Sequence, residues 1–88
     1  IELGEIETQL LACSGVREAL VVAREEDNGD KRLVAYVIPQ PDVTPDVNSL
    51  REQLNTHLAG YMMPNAFVIL DAFPLTASGK VNRKALPV

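Results

Sequence analysis

The stretch Lys31-Arg32-Leu33-Val34-Ala35-Tyr36-Val37-Ile38 decides the fold. Both of its alternating sets, Leu33/Ala35/Val37 and Val34/Tyr36/Ile38, are apolar, which predicts a strand covered on both faces. Helices on each side would provide that cover. Just upstream, Val16 to Glu25 is rich in Val, Leu and Ala, and Asp27-Asn28-Gly29-Asp30 separates the two runs, so the pair reads as a β-hairpin with an Asn-Gly turn. Further back, Leu3, Ile6, Leu10 and Cys13 recur at spacings of 3, 4 and 3, the apolar stripe of an amphipathic helix. Glu5 and Glu7 lie in its first turn, where carboxylates favour the positive dipole end, and Ser14-Gly15 ends it.

Downstream, Pro39 to Pro45 holds three prolines and is a loop. A second helix follows through Val47, Leu50, Leu54 and Leu58, with Ser49-x-x-Glu52 as its capping box and Gly60 as its stop. Pro64 interrupts the chain before a short third strand, Ala66 to Asp71. After Pro74, Leu75-Thr76-Ala77-Ser78-Gly79-Lys80 forms a polar loop, and Asn82 caps one last helical turn through Leu86, before Pro87. The expected fold class is α+β: a small three-stranded sheet with helices packed against it, followed by a lysine-bearing loop near the C-terminus.

Eighty-eight residues allow one small domain and leave no room for a substrate pocket alongside a separate nucleotide-binding core. The net charge of −4 disfavours nucleic-acid and anionic-membrane binding. Charge is also segregated. All 12 acidic residues lie at or before Asp71, where five basic residues leave a net −7, while the rest of the chain carries Lys80, Arg83 and Lys84. A lone cysteine, Cys13, makes no internal disulfide and suits a reducing cytoplasm. No apolar run reaches membrane-spanning length, and the acidic start Ile1-Glu2-Leu3-Gly4-Glu5 is unlike a signal peptide. With no initiating methionine, the chain reads as a piece of something longer.

Taken singly, the chemistry-bearing residues carry little. Ser78-Gly79-Lys80 is superficially like a nucleotide-binding phosphate loop, but the position that needs the first glycine is Pro74, and Val81 follows the lysine in place of a magnesium-binding hydroxyl. His57 has no ligand-spaced companions, so no metal site is expected, and it reads as a surface or boundary residue. Cys13 reads as a small buried hydrophobe, Tyr61-Met62-Met63 as a tail folded onto the core, and Glu2, Glu5 and Glu7 as dipole or solvating carboxylates.

Three segments taken together are more specific. Ile1-Glu2-Leu3-Gly4-Glu5-Ile6-Glu7 resembles the second half of the motif that follows the hinge in adenylation domains of nonribosomal peptide synthetases. Gly60-Tyr61-Met62-Met63-Pro64 resembles their Tyr-Met-x-Pro motif, and Pro74 to Leu86 resembles their closing Asn-Gly-Lys-Val-Asp-Arg motif. The three stand in the family's order and span residues 1–86, so the whole chain, 1–88, resembles the mobile C-terminal subdomain of an adenylation domain, without the larger N-terminal subdomain and hinge. Ser78 replaces the usual asparagine and Asn82 the usual aspartate.

The resemblance implies a two-step reaction on ATP and Mg2+, bound mainly by the larger subdomain. An amino-acid carboxylate attacks the α-phosphate to give an aminoacyl adenylate and pyrophosphate. The phosphopantetheine thiol of a peptidyl carrier protein then takes the acyl group. Lys80 is implied as the catalytic lysine, Ser78 and Gly79 as positioning its loop on the nucleotide, and Glu2, Leu3 and Gly4 as the face presented for the thioester step. Lysine side chains are ordinarily charged at neutral pH, so the implied role is electrostatic and not that of a general base. Alternatives are the corresponding subdomain of a stand-alone carrier-protein ligase or acyl-CoA synthetase and, from a different class, a non-catalytic protein-interaction module using the acidic face and the Tyr61-Met62 patch.

Overall fold

A computed structural model describes residues 2–25 and 28–87. Ile1, Asp27 and the Tyr61 side chain, which entered the readings above, lie outside the described residues. Helix α1 (Leu3–Leu11) leads into strand β1 (Val16–Glu25), which pairs antiparallel with β2 (Lys31–Pro39). Helix α2 (Val47–Asn55) then carries the chain across to β3 (Ala66–Ile69), which runs parallel to β2. A parallel neighbour cannot be reached by a tight turn, so the proline-rich loop and α2 together provide the crossover. The sheet order is β1-β2-β3, which makes β2 central and explains its two apolar faces.

Those faces are covered differently. Val21, Leu33, Ala35, Val37 and the partly buried Phe67 pack with Ile6 and Leu10 of α1 and Leu50, Leu54 and Leu58 of the α2 segment. On the opposite face, Leu20, Val22, Val34 and Tyr36 meet Val68, Phe73, Val81 and Leu86. Helices therefore cover one face only. The expected helix on the second face is replaced by the C-terminal segment, which brings a single 3-10 turn, Arg83–Ala85, and seats Leu86 at 3% exposure. A register shift between Val16 and Glu18 puts Val16 and Ala19 on the same face although they are three residues apart.

Local signals differ from expectation at several ends. Helix α1 stops at Leu11 with Ala12 in a right-handed conformation, ahead of Ser14-Gly15. Gly15, at φ 82, instead turns the chain into β1, and a Cβ there would lie 2.8 Å from a Val43 methyl. The α2 cap is Asp46, whose carboxylate accepts the Asn48 amide at 3.0 Å, so Ser49 and Glu52 do not form the capping box. Helix α2 begins three residues earlier than that box requires, and Ser49 Oγ instead accepts from Gln53 Nε2 at 3.2 Å. Asn82 makes no side-chain cap bond, and β3 ends at Ile69. In the β1–β2 connection Gly29 has φ 86, and Asn28 Oδ1 accepts the Asp30 amide at 3.0 Å, the local chemistry that an Asn-Gly turn calls for.

Glu7 is more than a dipole residue. Its Oε2 accepts the Val21 amide at 2.8 Å, on the edge strand of the sheet. Cys13 is buried at 8% exposure, His57 is exposed, and Met62 and Met63 join the helix-side core, as the residues predicted. No described helix is long and apolar enough to cross a membrane.

Candidate functional site

Lys80 sits on a tight hairpin. Leu75 and Val81 form an antiparallel bridge. Within it the Thr76 amide donates to the Lys80 carbonyl at 2.7 Å and the Gly79 amide to the Thr76 carbonyl at 3.0 Å. This is the three-residue hairpin loop in which a turn is followed by one left-handed residue. Gly79 occupies that place at φ 85, a conformation that a Cβ would strain. A Cβ at Gly79 would find nothing within 4 Å, so the backbone angle, and not crowding within this chain, calls for glycine.

Side chains tighten the same loop. Thr76 Oγ1 lies 3.0 Å from Ser78 Oγ and accepts the Lys80 amide at 3.3 Å. Immediately beyond the bridge, the Asn82 amide donates to the Pro74 carbonyl at 2.7 Å. The backbone of Lys80 is thereby fixed while its side chain is exposed, and its ammonium makes no hydrogen bond or ion pair with a described residue. Leu75, beside it, is 62% exposed. A charged group on a long stem, projecting from a hydrogen-bonded turn and unengaged by any described residue, is suited to meeting an anion supplied from elsewhere.

The second set of predicted residues lies elsewhere. Glu2 is extended and its carbonyl accepts the Glu5 amide at 3.1 Å, starting α1. Gly4 is exposed, with open space around it. Leu3 packs against the helix-side core and borders a cleft of about 550 Å³, together with Leu33, Met63, Lys31 and Asn65. Since Val81 packs on the opposite core, the structure holds Lys80 and the Glu2-Leu3-Gly4 segment against different faces of one sheet and does not bring them together. Among the described residues no three His, Cys, Asp or Glu side chains stand where they could hold a metal ion.

Reading by residue missed one cluster. The fully buried Tyr36 ring presents its hydroxyl to Arg24 Nε at 3.1 Å and donates it to the Pro87 carbonyl, while an Arg24 terminal nitrogen donates to the Leu86 carbonyl at 3.3 Å. The available signal was a tyrosine inside an otherwise apolar strand, because a buried phenol seeks a partner.

The Lys80 hairpin thus lies on one side of the sheet, and the start of α1, beside its cleft, on the other. Residues 5–80 match the AMP-binding enzyme C-terminal domain family, and the chain belongs to it. Its curated relatives include Gramicidin S synthase 2 of Brevibacillus brevis, 52% identical over 87 residues, and the isonitrile lipopeptide synthase of Mycobacterium tuberculosis, 48% identical over 87 residues. Each alignment covers 99% of this chain but only 2% and 4% of those relatives, so the chain spans a small fraction of their length. Among solved structures, a four-domain nonribosomal peptide synthetase bound to AMP and glycine superposes at TM-score 0.91 and 44% identity, covering all of this chain and 6% of that one. A benzoate CoA ligase from Burkholderia xenovorans superposes at TM-score 0.79 and 28% identity, over 96% of this chain and 18% of that one. The resemblance to the C-terminal subdomain of peptide-synthetase adenylation domains thus extends over the whole chain in both sequence and fold.

Proposed function

We propose that residues 1–88 act as the mobile C-terminal subdomain of an amino-acid-activating ligase, completing its catalytic cleft in one orientation and opening it in another. The observation that carries this reading is the Lys80 hairpin, whose backbone is pinned by four internal hydrogen bonds while its ammonium engages no described residue. When a carboxylate attacks the α-phosphorus of ATP, two anions approach and negative charge gathers on the phosphoryl oxygens. A preorganised ammonium stabilises that arrangement more than the separated reactants. Ser78 shapes the loop through Thr76, and Gly79 supplies its left-handed turn.

The same group would obstruct a thiol approaching the acyl carbonyl. Rotation of the subdomain would withdraw Lys80 and bring forward the Glu2-Leu3-Gly4 face, which packs on the other side of the sheet. In this reading the thiol is the phosphopantetheine of a peptidyl carrier protein, ATP and Mg2+ are held mainly by a larger N-terminal subdomain of the same polypeptide, and the enzyme works in the cytoplasm. Support for the amino-acid branch comes from the relatives: identity is about 50% with peptide synthetases against 28% with the benzoate CoA ligase.

The test is Lys80→Ala in the full-length parent, with adenylate formation and transfer of preformed aminoacyl adenylate to the carrier thiol assayed separately. Loss of the first step with the second retained is expected. Equal loss of both, or of neither, would overturn the role given to Lys80 and favour the interaction-module reading.

A further inference from the structure

Among the described residues no α-helix covers the sheet face that carries the Lys80 hairpin, so the hairpin's placement rests on how the C-terminal segment is fastened. Three attachments are visible. Val81 and Leu86 pack on Leu20, Val22, Val34 and Tyr36; the Asn82 amide ties to the Pro74 carbonyl; and the Leu86 and Pro87 carbonyls are gripped from the sheet. The grip is polar, at the edge of an apolar cluster: the Tyr36 ring is fully buried, Arg24 is half-buried and Pro87 is exposed. Tyr36 on β2 donates to the Pro87 carbonyl, Arg24 on β1 donates to the Leu86 carbonyl at 3.3 Å, and Arg24 Nε donates to the Tyr36 hydroxyl at 3.1 Å. The guanidinium lies 5.9 Å from the Tyr36 ring centroid.

We infer that Arg24 and Tyr36 are positioning residues for Lys80: they lock the C-terminal segment to the sheet and so fix the hairpin at the angle from which its ammonium meets the phosphate. The inference rests on the proposed role of Lys80. Its physical basis is that these part-buried hydrogen bonds are directional, and the one from the buried tyrosine is costly to leave unmade, whereas apolar packing alone lets a segment slide. An electrostatic catalyst is sensitive to such sliding, since a misplacement of about 1 Å can lower a rate by about 10²-fold.

The experiment uses the full-length parent with Tyr36→Phe, which keeps the buried ring and removes only the hydroxyl, and Arg24→Lys, which keeps the charge and loses the forked donors. Two readouts are taken. Hydrogen exchange at residues 74–87 should accelerate in both variants while β1 and β2 stay protected. The kcat of adenylate formation should fall by roughly tenfold, with KM for ATP and amino acid little changed and transfer of preformed adenylate to the thiol retained. Unchanged exchange at 74–87, or equal loss of both half-reactions, would overturn the inference. If Lys80→Ala leaves adenylation intact, the reading of Lys80 fails and the positioning role falls with it. Faster exchange with adenylation undiminished would retain the anchor but overturn its catalytic consequence.

Discussion

The Glu7 carboxylate of α1 accepts the Val21 amide of β1 at 2.8 Å, across 14 residues of sequence. Strand β1 is an edge strand, so this amide faces away from β2 and would otherwise lack a partner in the sheet. One side chain thus docks the first helix and closes part of an open edge. Replacing it, Glu7→Ala, is expected to cost about 1.5–3 kcal/mol, the usual range for a hydrogen bond to a charged group. Chemical denaturation of this chain checks it, and a cost near zero would show that water replaces the carboxylate.

Lys80→Ala should separate activity from stability. Its side chain touches no described hydrogen-bond partner, so the unfolding free energy should change by no more than about 0.5 kcal/mol. Adenylate formation should fall by roughly 10²–10³-fold, the scale of losing a preorganised electrostatic group. Matched denaturation curves alongside half-reaction rates make the comparison.

Leu54→Ala should do the reverse. Leu54 is fully buried between α2 and the sheet, so truncation removes apolar contact and leaves a cavity, at a cost of about 2–5 kcal/mol. The measurement is again an unfolding curve, and residual activity per folded molecule should be unchanged.

Cys13 is buried, and burial raises its thiol pKa above the ordinary value of 9.0 because the thiolate is poorly solvated there. At pH 8 the folded protein should react slowly with iodoacetamide, and denaturant should release the reaction. Because the unfolded thiol loses its proton first, this group's contribution to stability is intact below the unfolded pKa. It declines as pH rises from about 9 through the higher folded value. Cys13→Ala should remove that share of the alkaline dependence.

The local pattern of the chain determined a good deal. The doubly apolar run Leu33 to Ile38 marked the central strand because only a strand with cover on both sides can spend hydrophobic residues at every position. The helical stripes through Ile6 and Leu10, and through Leu50 and Leu54, marked the elements on one face. Lys80 was legible through the ordered set of three motifs, and Gly79 beside it holds the positive φ that its hairpin needs.

What covers the second face was decided by tertiary structure. Periodicity reports that a face is apolar but carries no information about which segment lies on it, and an extended segment held by Val81 and Leu86 leaves almost no periodic trace. The same limit hid Glu7, Arg24 and Tyr36, whose partners lie 14, 62 and 51 residues away. Helix caps followed suit: α2 begins at Val47, so it is Asp46 and not Ser49 that meets a free amide, that of Asn48. The sequence by itself therefore determined the elements and singled out Lys80, through short-range periodicity and motif. Only the folded chain decided the anchoring, because hydrogen bonds between distant residues depend on a geometry that no local pattern contains.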